Sequence, residues 1–290
     1  MERLYHYTKK EARDGICDNH ELWFKLTSAE SRNDTRDTVY IREVLSKAIS
    51  TYKGDDHFFL QALKVMNSVL NPVAPEDKNC YIEKNIFMFC AMNLKNDEAG
   101  KDLYKDENVE VYCIEFDKRI LINYLNDLLL IRNNGLLLHG NMIYDESEQL
   151  NKIYSIIAKF EKIYWEFNHN KGVKPLFMQS TMLASTPCND YSGISGCQPA
   201  LNENLEWYLK TWDDMEDSEK FNLDKLWKSL ANEFYKLSTF IKDPEYEHEK
   251  EYRIAFCGEE HFKKSITINS RFCIQFPIDK SIILTNVYIP

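Results

Sequence analysis

The chain has 290 residues, 44% of them hydrophobic and 28% charged, enough to bury a core as one large domain or as one domain with a sizeable insertion. Its formal net charge is −10, which disfavours non-specific binding to phosphate backbones and anionic membranes, so neither nucleic acid nor membrane is indicated as a partner. Glycine is scarce at 9 residues, and the closest spacing, Gly193-Ile194-Ser195-Gly196, fits neither a P-loop nor a dinucleotide fingerprint.

In chain order, Arg3-Leu4-Tyr5-His6-Tyr7-Thr8 reads as a short strand. The polar stretch 9–15 reads as a turn, and Glu21-Leu22-Trp23-Phe24-Lys25-Leu26 as a second strand. Residues 27–34 are rich in side chains that bond their own backbone, including Arg32-Asn33-Asp34. Helical spacing runs from about Thr38 to Leu70 in two segments broken near Gly54-Asp55-Asp56, and Pro72 and Pro75 end it. The nearly continuous apolar run 85–92 predicts a central strand buried on both faces. Residues 95–108 are charged and loop-like. A strand over 109–116 follows, and Asp117 is placed to cap a helix reaching about Arg132.

Residues 136–144 predict a further strand. The stretch 146–168 carries Leu150, Ile153, Ile156, Ile157, Phe160, Ile163 and Tyr164 at helical spacing. Residues 176–203 form a long irregular loop, of a length that is usually functional. Helix returns over 204–241, with Trp207, Trp212 and Trp227 on its apolar side. Strands at 251–257, 265–269, 271–276 and 281–288 close the chain. The alternation of strand and helix blocks predicts a single α+β domain over 1–290, with an antiparallel-rich sheet and helical insertions near 38–75 and 145–241.

The eight cysteines, at 17, 80, 90, 113, 188, 197, 257 and 273, form no Cys-x-x-Cys pair, so no metal site is expected. The start lacks a basic end followed by an apolar signal core. Reduced thiols in a cytoplasmic protein are the corresponding expectation.

The stretch Glu249–Phe256 carries the densest chemistry. As a strand it alternates: Tyr252, Ile254 and Phe256 point one way, and Glu249, Glu251 and Arg253 the other. Such a row suits a solvated edge or the wall of a polar cleft. In a cleft, one carboxylate stays ionised to stabilise developing positive charge and its neighbour accepts a proton. His6, between Tyr5 and Tyr7, reads either as a core histidine satisfied by backbone or as a neutral imidazole meeting a ligand hydroxyl. Asn33 reads equally as a turn former or a ligand contact.

These pieces resemble a bacterial domain of unknown function, DUF2971. Its opening strand is matched by Leu4-Tyr5-His6-Tyr7-Thr8. Leu22-Trp23-Phe24 and Asn33-Asp34-Thr35 match the segments that follow, and the strand Cys113-Ile114-Glu115-Phe116-Asp117 also fits. Lys242, Asp243, Tyr246, Glu249, Glu251, Tyr252 and Arg253 match its closing signature. A more distant likeness is to the His-Tyr-Glu layout of ADP-ribosyltransferases, whose bent, split sheet binds NAD without glycine-rich loops.

That likeness implies NAD as co-substrate, a nucleotide in a cleft, and transfer of ADP-ribose to an unspecified macromolecular acceptor or to water. The setting would be a toxin or antiviral defence effector in the bacterial cytoplasm. It implies that His6 anchors a ribose hydroxyl and that Tyr7, Trp23 or Phe24 stacks on nicotinamide, with Asn33 contributing to the cofactor site. Glu251 would stabilise the oxocarbenium-like transition state, Glu249 would orient or deprotonate the acceptor, and Arg253 would hold the glutamates or a phosphate. The alternative is a non-catalytic ligand- or protein-binding module. All of the transferase roles require His6 and Glu251 to face each other.

Overall fold

Short apolar runs bounded by polar turns become strands here, and among the described residues four helices start where an Asp or Asn side chain caps a free backbone N–H three residues on. The computed structural model describes residues 2–26, 40–54, 56–69, 86–104, 109–132, 136–169, 217–257, 266–268 and 271–289. Asn33, the 176–203 loop, Trp207 and Trp212 therefore lie outside the described residues. Two compact units result: Met1–Asp37, Ile82–Tyr144 and Lys242–Pro290 form the first, and Thr38–Tyr81 and Asp145–Ile241 the second.

The first unit is α+β. Its strands are β1 (Arg3–Lys9), β2 (Glu21–Leu26), β3 (Ile86–Met92), β4 (Val111–Asp117), β5 (Leu136–Asn141), β6 (Glu251–Cys257), β7 (Ile266–Ile268), β8 (Arg271–Pro277) and β9 (Ile283–Ile289). Every pairing among them is antiparallel. The sheet forks at β3. One edge of β3 pairs with β6 along its whole length. The other edge is shared: Met88 and Phe87 face β2, whereas Met92 faces Tyr5 of β1. One arm then runs β2–β8–β7 and the other β1–β4–β9.

The main core lies on one side of this sheet. Leu4, Leu22, Phe24, Phe89, Ile114, Phe116, Ile254, Phe256 and Phe276 are buried there together. Phe24 sits 4.6 Å from Phe256 and 5.7 Å from Phe89, centroid to centroid, so the two arms share one aromatic core. Leu121 and Leu125 join it from a helix over Lys118–Arg132, which Asp117 caps through the Ile120 N–H at 3.0 Å.

Two short helices differ from the sequence reading. Residues 10–17 form helix α1 (Lys10–Cys17) rather than a turn; its cap position is Lys9, which supplies no side-chain bond, so the usual start signal is missing. Within the expected loop 95–108 lies a six-residue helix, Asp97–Asp102, capped by Asn96 through the Ala99 N–H at 3.1 Å. It lies against β1 so closely that a Cβ on Gly100 would run into the Tyr7 ring.

The second unit, in its described part, is helical: Ile41–Ser50, His57–Val69, Glu146–His169 and Asp217–Ser238. Phe59, Tyr164 and Trp227 form its aromatic centre at 5.5–5.8 Å. Of the apolar positions at helical spacing on the long helix, Ile153, Ile157, Phe160 and Tyr164 are buried, while Leu150, Ile156 and Ile163 are half-buried at its margins. An open depression of about 480 Å³ in this unit is lined by Ser46, Tyr52, Lys64 and Asn67, among others.

Candidate functional site

The closing signature folds into one turn and one strand. The Lys242 N–H donates to the Ile143 carbonyl at 3.3 Å, fixing the entry. Asp243 then caps a 3-10 turn over Pro244–Glu249, accepting from the Glu245 N–H at 3.1 Å, and Pro244 supplies a pre-set φ at its start. Lys250 ends the turn at φ 45°, ψ 45°, a left-handed conformation uncommon outside glycine. β6 therefore begins only at Glu251. This corrects the reading of Glu249–Phe256 as one alternating strand: Glu251 and Arg253 share a strand face, and Glu249 reaches the same cluster from the turn.

Four charges meet there. Arg253 donates from Nε to Glu251 Oε1 at 2.7 Å and from Nη2 to Oε2 at 3.1 Å, a bidentate fork. Lys242 Nζ donates to Glu251 Oε2 at 3.2 Å and also to Glu249, with the Tyr246 ring 4.9 Å away. Arg253, Lys242 and Glu251 are 1%, 5% and 7% exposed. Tyr144 adds its hydroxyl, which accepts from the Glu251 N–H at 3.1 Å. Two cations and two carboxylates balance, as buried charges must.

The two carboxylates respond differently. Burial pushes the Glu251 carboxyl up, but the Arg253 and Lys242 cations outweigh it and hold the group well below the usual carboxylate range. Burial pushes Glu249 up, Lys242 opposes this, and the neighbouring Glu251 charge adds to the rise. One group is a fixed anion, therefore, and the other holds a proton more readily than a free glutamate. Cys90, directly opposite Arg253 in the ladder, is exposed beside them.

His6 is not part of this cluster. Register puts Tyr5 opposite Met92 and Met92 opposite Glu251, so Tyr5, Tyr7 and Glu251 share one face and His6 takes the other. There its ring lies 4.4 Å from Phe89, centroid to centroid. Nδ1 donates to the Cys90 carbonyl at 2.7 Å. Because a carbonyl only accepts, Nδ1 carries the proton of the neutral ring. Burial holds the imidazole down to about 4, against a smaller upward pull from that carbonyl. In the fork, a side chain thus bonds β3 where a strand would. The expectation that His6 faces Glu251 is corrected: the two groups belong to opposite faces of one sheet.

The expected stacking residues are likewise occupied. Phe24 is fully buried in the core, where no ring of a ligand has access. Tyr7 is on the Glu251 side, yet its hydroxyl donates to Asp97 and accepts from the Asn96 N–H, both at 2.9 Å. Trp23 is half-buried, its indole donating to Glu21 at 3.4 Å and its ring lying against Gly15 of α1. Arg253 and the two glutamates are brought together; His6 and Phe24 are not brought to them. Tyr144 was missed because it lies 107 residues away in sequence and no local pattern marks it. Lys242 stood in the signature without a role, and its spacing of seven and nine residues from the glutamates becomes meaningful only once the turn is known.

The fold and cluster define an α+β protein built on a forked antiparallel sheet, with a neutralised ion cluster on one face. Compared with known proteins, the chain matches no family model, no curated protein and no solved structure. Among the described residues, no group of His, Cys, Asp and Glu is arranged to hold a metal ion, and no helix is long and apolar enough to cross a membrane.

Proposed function

We propose that this chain is a ligand- or partner-recognition module, and that its Lys242–Arg253 cluster is a structural device rather than an NAD clasp. The observation that carries this reading is the opposite facing of His6 and Glu251. A clasp needs both groups on one ligand, and a sheet lies between them. The cluster also spends its charges internally: both Glu251 oxygens accept from cations of the same chain. The likeness to DUF2971 belongs to this proposal. Lys242, Asp243, Tyr246, Glu249, Glu251 and Arg253 all belong to the capped turn and the strand that follows it, or to the ion cluster they form.

A second reading rests on the divergence of the two carboxylates. A fixed anion beside a readily protonated carboxyl is a pair suited to acid–base work. On this reading Glu251 stabilises the cationic sugar as nicotinamide leaves NAD, and Glu249 takes the proton of the acceptor or water, without help from His6. The transferase fold likeness and a toxin or defence role go with this alternative.

Incubation of the full chain with NAD, followed by assay for free nicotinamide, separates the two. The recognition reading expects no release, and it expects Glu251→Gln to lower the unfolding midpoint. Turnover that Glu251→Gln abolishes and His6→Phe leaves intact would overturn it in favour of the second.

A further inference from the structure

The open depression of the second unit is built by two helices, Ile41–Ser50 and His57–Val69. They bury Leu45, Ala48, Phe59 and Leu63, and each turns a further stripe to the hollow. On the first helix that stripe is Ser46, Ile49 and Ser50; on the second it is Leu60, Lys64 and Asn67. Both follow helical spacing, so the members of a stripe are neighbours on one face. With Tyr52 they line a volume of about 480 Å³, within the range of about 300–1,000 Å³ of small-molecule sites.

The polar groups of this hollow are incompletely used. Asn67 reaches across to the first helix, its Nδ2 donating to Ser46 Oγ at 2.7 Å, while its Oδ1 is buried and has no partner. A buried amide oxygen without a donor is costly. Turning the amide about would exchange the unfilled acceptor for an unfilled donor, and a hydroxyl, which both donates and accepts, satisfies either. Lys64 lies one turn before Asn67 and is exposed. Lys47, on the first helix, pairs with Glu146 at 2.7 Å, whereas Lys64 has no carboxylate partner among the described residues. In a chain of net charge −10, the described lining thus carries one charged side chain, and it is a cation. The nearest acid, Glu161, stands outside the lining and accepts the Tyr52 hydroxyl proton.

We propose that this hollow binds a small hydroxylated anion, a sugar carrying a phosphate or a carboxylate. The anionic group meets Lys64, a hydroxyl meets the Asn67–Ser46 pair, and the carbon face of the sugar lies on Ile49 and Leu60. Helical spacing sets Lys64 and Asn67 about 5–6 Å apart at Cβ, so one small molecule reaches both. The inference goes beyond the recognition reading: the hollow uses none of the ion cluster's residues, and it binds whether or not that cluster acts on NAD.

Calorimetric titration of the full chain with ribose 5-phosphate and, separately, with gluconate tests it. One or both should bind saturably and raise the thermal midpoint, and the tighter of the two identifies the anionic group. Lys64→Gln, at an exposed position, should weaken that binding about tenfold or more with the midpoint of the ligand-free chain unchanged. Uncharged ribose and inorganic phosphate should each bind about tenfold or more weakly than the whole ligand. Failure of both sugars to bind at millimolar concentration overturns the proposal. So does binding that Lys64→Gln leaves intact, or ribose or inorganic phosphate binding as tightly as the whole ligand, which would mark an adventitious contact only.

Discussion

On one face of β1, β3 and β6 the polar group is neutral; on the other the polar groups are ions, although the strands are the same. His6, half-buried against Phe89 at the margin of the aromatic core, is held down to about 4 by burial and bonded to one carbonyl. Across the sheet, Glu251 stays ionised because Arg253 and Lys242 are folded against it. A single polar group can be buried by giving up its charge. A row of them needs counter-ions, and the Lys242–Lys250 turn exists to deliver one.

The largest effect is expected from breaking the ionic face. Arg253→Met leaves Glu251 buried without its fork and should cost about 3–5 kcal/mol in urea unfolding, whereas pairing it with Glu251→Leu should recover most of that loss. A double variant as unstable as the single one would mean that the fork is not what Arg253 is for. Gly100→Ala comes next. The new methyl meets the Tyr7 ring, and overpacking of this kind costs about 1–3 kcal/mol, read as a lower thermal midpoint.

The smallest effect sharpens the neutral face. His6→Phe keeps the ring contact with Phe89 but leaves the Cys90 carbonyl without its donor, at about 1 kcal/mol near neutral pH. Its pH signature is more telling. The unfolded imidazole takes up its proton near 6.5 and the folded one only near 4. Between these values the unfolded state binds more protons, so the wild type loses stability as pH falls from 6.5 towards 4. His6→Phe should flatten that limb. Glu251 acts in the adjoining acid range, where its contribution, present above the unfolded carboxylate value, is lost as pH falls below it.

Much of the fold was legible in the chain alone. The long helix over Glu146–His169 follows from a stripe that repeats at helical spacing, and Asp117 announces the helix behind it by its capping chemistry. Strands β1, β2, β6 and β8 coincide with apolar runs bounded by polar residues. Helix α1 escaped because no side chain caps it. The break at Lys250 escaped because a lysine in the left-handed region carries no sequence mark. Of the site, Glu249, Glu251 and Arg253 were found as a group, since two are strand neighbours and the third is close in sequence.

What residue order alone determined is which side chains share a face within each strand, because a strand alternates with a period of two. It could not say which face of β1 matches which face of β6. That depends on the parity of two registers, Tyr5 against Met92 and Met92 against Glu251. A slip of one residue between β1 and β3 would turn His6 to the acidic side. Tertiary packing decided against it: Leu4 and Ile114 must enter the core, and the half-buried imidazole is carried to their side of the sheet.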